Sequence, residues 1–218
     1  MSRREQLNES IKLELSELVP FIHGEVSNPE IKGENHRTHL DDIGYPGIRG
    51  KYHNRSVCIL FSTDSPTYEA RMGKNAFLHP VMQIILFIDL SIQFSVVPHR
   101  TSSFAGILQK CGIRSHKADF DLPAMGKSFD LKSAEDRIRL RSLLTASGFQ
   151  SEMSTLSSFI ALKAEKNLLK LEIRIEQSND FHNLQLQRAI ESLHRLARML
   201  TSVEQGMQQE ELHNETPL

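Results

Sequence analysis

Between Asp180 and Val203 apolar residues recur at every third or fourth position, and no other stretch of this 218-residue chain restricts the fold as tightly. At about 100° per residue, Leu186, Ala189, Ile190, Leu193, Leu196, Ala197 and Leu200 fall in one broad arc, with Arg188, Glu191, Arg195 and Arg198 opposite. Burying the leucines and the isoleucine contributes ~1.5–3 kcal/mol apiece, which a solvated helix forgoes. The stretch therefore requires an apolar surface to lie on. Glu191 and Arg195 are spaced for an ion pair on the wet side, worth only ~0.3–0.5 kcal/mol.

Pleated sheet supplies such a surface. In "LSSFIALKAEKNLLKLEIRIEQ" Leu169, Leu171, Ile173 and Ile175 alternate with Lys170, Glu172, Arg174 and Glu176, and Glu165 to Asn167 provide a turn. This predicts a hairpin with one buried and one wet face. "VMQIILFIDLSIQFSVV", from Val81 to Val97, predicts one long strand, because Ile88, Leu90, Ile92, Phe94 and Val96 alternate with polar residues. Its first part, apolar on both sides, is expected to be covered on two faces. "KYHNRSVCILFS" predicts a second hairpin, with Asn54 and Arg55 at the turn and Val57, Ile59 and Phe61 alternating after it. Leu7, Ile11, Leu15 and Leu18 line one side of a first helix that Pro20 should stop. "SAED", Ser133 to Asp136, resembles a capping box opening a helix that ends at Gly148, and "FAGILQKCG" predicts a short helix closed by Gly112.

Together these elements predict an α+β fold of antiparallel sheets with helices packed on one face. They group into an N-terminal α+β region, residues 1–112, carrying an exposed loop at 24–50, and a C-terminal α+β region, residues 113–204. The order of elements admits two similar halves. Residues 204–218 hold four glutamates and neither lysine nor arginine, so 205–218 is expected to be a disordered acidic tail.

Composition narrows the function classes. The longest apolar run is interrupted by Gln83, Asp89 and Gln93, and the mean hydropathy is −0.34, so no membrane span is expected. The N-terminal "MSRREQLNESIKLELSELVPF" mixes Glu and Asn into its apolar positions, unlike a signal peptide. Neither cysteine, Cys58 or Cys111, belongs to a CxxC pair, which fits a reducing, cytoplasmic setting. A formal charge of −1 provides no global field to hold a polyanion.

Several segments invite chemistry. "ENHRTHLDD", Glu34 to Asp42, places His36 and His39 three residues apart beside Asp41 and Asp42, and His23 and His53 are further donors. It lacks HExxH and has the turn residues of an exposed loop, so a solvated loop is the expectation, with His36, His39, Asp41 and Asp42 the metal candidates. Gly126, Lys127 and Ser128 match the end of a phosphate-binding loop, but Asp121 stands where its first glycine belongs and sets a carboxylate in the phosphate's path. A turn before a helix is the plainer reading. Cys58 reads as a packed thiol, Cys111 beside His116 is a thin lead, and His182 reads as a hydrogen-bonded histidine near a helix start. Lys127, Lys132, Arg137, Arg139 and Arg141 form one basic group and Arg188, Arg195 and Arg198 another, both assigned to helices. Asp130, Glu135, Asp136 and Glu191 dilute them, and there is no tryptophan for base stacking.

Strong fold signals beside no reactive constellation predict a noncatalytic cytosolic interaction protein: an adaptor, a chaperone-like protein or an assembly component. It needs a protein partner and no cofactor, and a homo-oligomer is compatible. The expected contact surface is the 24–50 loop or an uncovered sheet edge. The first alternative is a metal-dependent hydrolase using His36, His39, Asp41 and Asp42. The second is a weak nucleic-acid binder using Arg188, Arg195 and Arg198.

Overall fold

The computed structural model describes residues 3–27, 45–63, 80–90, 92–98, 120–122, 127–133, 140, 144, 147–156, 159–175 and 181–214. In chain order these form α1 (Arg3–Ile22), β1 (Glu25–Ser27), β2 (Gly47–Tyr52), β3 (Arg55–Thr63), β4 (Pro80–Phe87), β5 (Phe94–Pro98), β6 (Phe120–Leu122), β7 (Lys127–Ser133), α2 (Ser147–Thr155), β8 (Ala161–Glu165), β9 (Leu168–Arg174) and α3 (Asn183–Asn214). Every strand pairing is antiparallel, and the sheet order is β1-β2-β3-β4-β9-β8-β5-β7-β6. The protein is of the α+β class.

Register explains the core. Partner by partner, Val26, Ile48, Ile59, Ile84, Leu171, Leu162, Val96 and Leu131 stand in one row across eight strands. From Ile48 to Val96 that row is fully buried, in one cluster with Ile11, Leu15, Leu18 and Ile22 of α1 and with the apolar arc of α3. The parallel row on the opposite face runs Arg49, Cys58, Ile85, Lys170, Lys163. There Lys163 meets Glu172 at 2.8 Å and Lys170 meets Glu165 at 3.2 Å, the charged ladder of a hydrated face.

The first helix outlasts its proline. Pro20 and Ser16 both lie on the exposed side of α1, where the Ser16 carbonyl left without an amide partner is open to hydration. The helix ends two residues later: His23 takes a left-handed φ of 46°, and the Gly24 N–H returns to the Val19 carbonyl at 3.1 Å. That is a Schellman closure with histidine in the position glycine usually takes. It delivers Gly24 against β2, where a Cβ on Gly24 would lie 2.7 Å from the Arg49 carbonyl oxygen.

The run from Val81 to Val97 is two strands, not one. Chain order and sheet order diverge here, because β8 and β9 lie between β4 and β5. The intervening residues pass over the β8–β9 turn, to which Ile88 N–H bonds at Asn167 O (3.0 Å), while Asn167 N–H bonds back to Leu90 O (3.2 Å). Asn167 has φ 63°, the left-handed conformation asparagine tolerates at a turn. Burial nonetheless alternates straight through: Ile88, Leu90, Ile92, Phe94 and Val96 are buried, Asp89 and Gln93 exposed.

Other boundaries also move. The second hairpin turns at His53 and Asn54, one residue earlier than expected. Gly148 does not end a helix but lies in the first turn of α2, preceded by helical residues at 140 and 144 whose leucines are buried. Lys127 and Ser128 open strand β7, with Ser128 opposite Asp121, so the segment resembling a phosphate loop joins a strand pair instead of preceding a helix. Lys132 is on that strand too. The last helix continues to Asn214, across ten positions of the segment expected to be a disordered tail. The "FAGILQKCG" helix, Cys111, His116, Arg137, Arg139 and Arg141 lie outside the described residues.

Candidate functional site: a basic and aromatic corner

Two consecutive left-handed residues, His53 (φ 46°) and Asn54 (φ 65°), make the tight two-residue turn that joins twisted antiparallel strands. The turn fixes its flanks: Tyr52 and Arg55 are direct cross-strand partners. Tyr52 stacks on Phe21 of α1, ring centres 4.9 Å apart, and meets the edges of His53 at 4.4 Å and His194 of α3 at 5.4 Å. His53 and His194 are themselves 5.1 Å apart. The hairpin tip is thereby docked between the end of α1 and the middle of α3.

Charge around His194 is one-sided. Burial pushes the His194 imidazole below its ordinary value, and the neighbouring Arg55, His53, Arg198 and Arg195 push it the same way. Desolvation lowers Arg55 as well, with Arg198 adding repulsion. Tyr52 is raised, first by burial and then by Glu191. Arg55 Nη1 and His194 Nδ1 are buried atoms with no hydrogen-bond partner among the described residues.

Arg195 is already committed. Its Nε donates to Glu152 Oε2 of α2 at 2.7 Å, its Nη2 to Ser192 Oγ at 3.1 Å, and Glu191 approaches Nη1 at 3.8 Å. The buried Ser192 hydroxyl also lies 2.6 Å from Thr155 Oγ1. This network ties α2 to α3. Beside it opens a groove of about 620 Å³ lined by Gly148, Phe149, Arg195, Arg198, Met199, Ser202 and Val203. Phe149 is the buried part of its wall and Met199 and Val203 are half-buried, so the groove is apolar with cations at its rim.

Of the arginines singled out by sequence, Arg195 and Arg198 therefore share this region, whereas exposed Arg188 lies about 15 Å along the helix axis from Arg198. His36, His39, Asp41 and Asp42 lie outside the described residues; His23 and His53 are both exposed. Among the described residues no three His, Cys, Asp or Glu side chains converge as a metal site would require. His182 stands just before α3, accepting the Leu184 N–H at Nδ1 over 3.4 Å, and the Asn183 N–H donates to Glu14 Oε2 at 2.8 Å while its side chain meets Glu17. Those carboxylates of α1 sit at the positive end of α3 and serve packing. Cys58 is buried, and desolvation raises its thiol above the usual value, against a lesser lowering by Arg49. It is a packed, inert thiol. Among the described residues no helix is long and apolar enough to cross a membrane.

Acidity tests the corner. Because His194 is held below its ordinary value of 6.5, the unfolded chain takes up a proton that the folded chain resists. The stability involved is fully present above that value and is lost as pH falls from it through the lowered folded value. The melting temperature should fall between about pH 7.5 and about pH 5.5, and less steeply in His194→Phe. Identical slopes would assign the acid sensitivity elsewhere.

The β2–β3 hairpin brings Tyr52, His53 and Arg55 together locally, and only tertiary packing adds His194. His53, by sequence a further metal donor, packs against Tyr52 and His194 instead, and nothing in "LHRLAR" distinguishes His194 from its helical neighbours.

No protein-family model matches this chain, and no curated protein matches it by sequence. A comparison with solved structures finds the crystal structure of the mycobacterial trehalose monomycolate transport factor A, TtfA, at a TM-score of 0.51 and 10% identity, covering 89% of this chain and 94% of that one. The likeness is one of fold.

Proposed function

We propose that this chain works noncatalytically, as a cytosolic adaptor, chaperone-like or assembly component that holds a segment of a protein partner in the groove between α2 and α3. The groove itself carries this reading: Phe149, Met199 and Val203 offer apolar contact, and Arg198 at the rim, which unlike Arg195 is not paired with a carboxylate among the described residues, favours a carboxylate beside it. Apolar anchoring with a charged rim is how a short amphipathic segment is recognised. The fold neighbour is a transport factor, and a role beside a transport process is compatible with such an activity. A buried unpaired thiol at Cys58 is in keeping with a reducing cytoplasm.

Affinity capture from the native cell, with the intact chain and with Met199→Asp and Arg198→Glu, is the direct test. One co-purifying protein should be retained by the intact chain and depleted about tenfold or more by each variant, at unchanged melting temperature. Retention of the same proteins by all three would overturn the assignment to this groove.

A further inference from the structure

The corner beside the groove gathers two guanidinium groups, whose charge the protein itself does not answer, and two imidazole rings as further hydrogen-bonding groups. His53 and Arg55 arrive from the β2–β3 hairpin, His194 and Arg198 from α3. The nearby carboxylates are spent on another residue, Glu152 and Glu191 both pairing with Arg195. Neither Arg55 nor Arg198 makes an ion pair among the described residues, and every charged group acting on His194 is cationic. Like charges gathered without a counter-ion repel one another, and a buried donor without an acceptor, as at Arg55 Nη1, is a further cost. One bound anion answers both.

We infer that His53, Arg55, His194 and Arg198 form a binding site for a small phosphoryl anion, either free phosphate or a phosphate monoester. A turn, a strand and a helix contribute the donors, so they approach from several directions. That suits a tetrahedral oxyanion, whereas a planar carboxylate is met by a single guanidinium fork. Exposed His53 and Arg198 leave the corner open to solvent. The site shares only Arg198 with the groove and extends beyond the protein-partner reading, which does not require it.

Calorimetric titration and thermal unfolding of the full chain, with sodium phosphate against sodium chloride at matched ionic strength and with glycerol phosphate in parallel, decide the matter. Saturable binding is expected, with a rise in melting temperature of about 3–5 °C at tenfold excess over the dissociation constant. Arg55→Gln and Arg198→Gln should each weaken it about tenfold, and Lys51→Gln, on exposed β2 surface, should not. Arg198 is exposed, so its variant remains informative if Arg55→Gln fails to fold. Glycerol phosphate binding about tenfold tighter than phosphate would identify a monoester as the ligand, and equal affinities the free anion. The inference is overturned if neither binds saturably, if chloride reproduces the thermal shift, or if both arginine variants bind like the parent. Partner capture by Arg55→Gln, which leaves the groove intact, shows separately whether the groove reading stands.

Discussion

Gly50→Val should unfold the N-terminal corner, at a cost of about 3 kcal/mol or more, visible as a large loss of denaturation midpoint. A Cβ at this position would run into the Ile22 carbonyl oxygen and stand 2.7 Å from Gly24 Cα, both backbone atoms with no rotamer to escape into. The end of α1 and the middle of β2 touch backbone to backbone here, and only glycine permits that approach. Strand propensity alone would favour valine, which makes the sign of the effect diagnostic. Gly148→Ala supplies the contrast. Among the described residues its Cβ would meet only Met199 Cε, at 3.6 Å, in the first turn of α2, so stability should rise by about 0.5–1 kcal/mol. A harmless Gly50→Val in urea denaturation would show that α1 does not lie against β2 as described.

Leu171→Ala should cost about 2–5 kcal/mol, or roughly 5–15 °C in melting temperature for a chain of this size. Leu171 sits between Ile84 and Leu162 in the buried row, all three at 0% exposure, so the lost methyl groups leave a cavity that fixed strands cannot close. Its neighbour Lys170 points to the other face and meets Glu165 at 3.2 Å and Glu172 at 3.6 Å. Lys170→Ala should cost under about 1 kcal/mol. Equal losses from the two substitutions, measured by scanning calorimetry, would contradict the assignment of faces.

How far the sequence discloses this molecule depends on whether a feature is set locally. The arc from Leu186 to Leu200 is buried residue for residue, because a helix carries its own period wherever it lies. The α+β class and the β8–β9 hairpin are legible for the same reason. The break after Phe87 is not, since Ile88, Leu90 and Ile92 keep their alternation with no glycine or proline to mark the bend. The hairpin turn lies one residue before the position the sequence suggests, because histidine is a less usual occupant of a left-handed position than asparagine or glycine. The basic corner is hidden for a stronger reason. Residues 52–55 and 194–198 meet only after the sheet and α3 have packed, and a net charge of −1 conceals a local excess of cations.

The passage of the chain over the β8–β9 turn sets a timetable for biosynthesis. Strand β4 is made early, yet its second neighbour, β9, is encoded at residues 168–174, and β5 likewise waits for β8 at 161–165. Until those residues emerge from the ribosome, the nascent polypeptide carries two unpaired apolar margins, an invitation to aggregation that chaperones exist to cover. Closure through such distant partners is also slow, so maturation of this protein is governed by its last quarter.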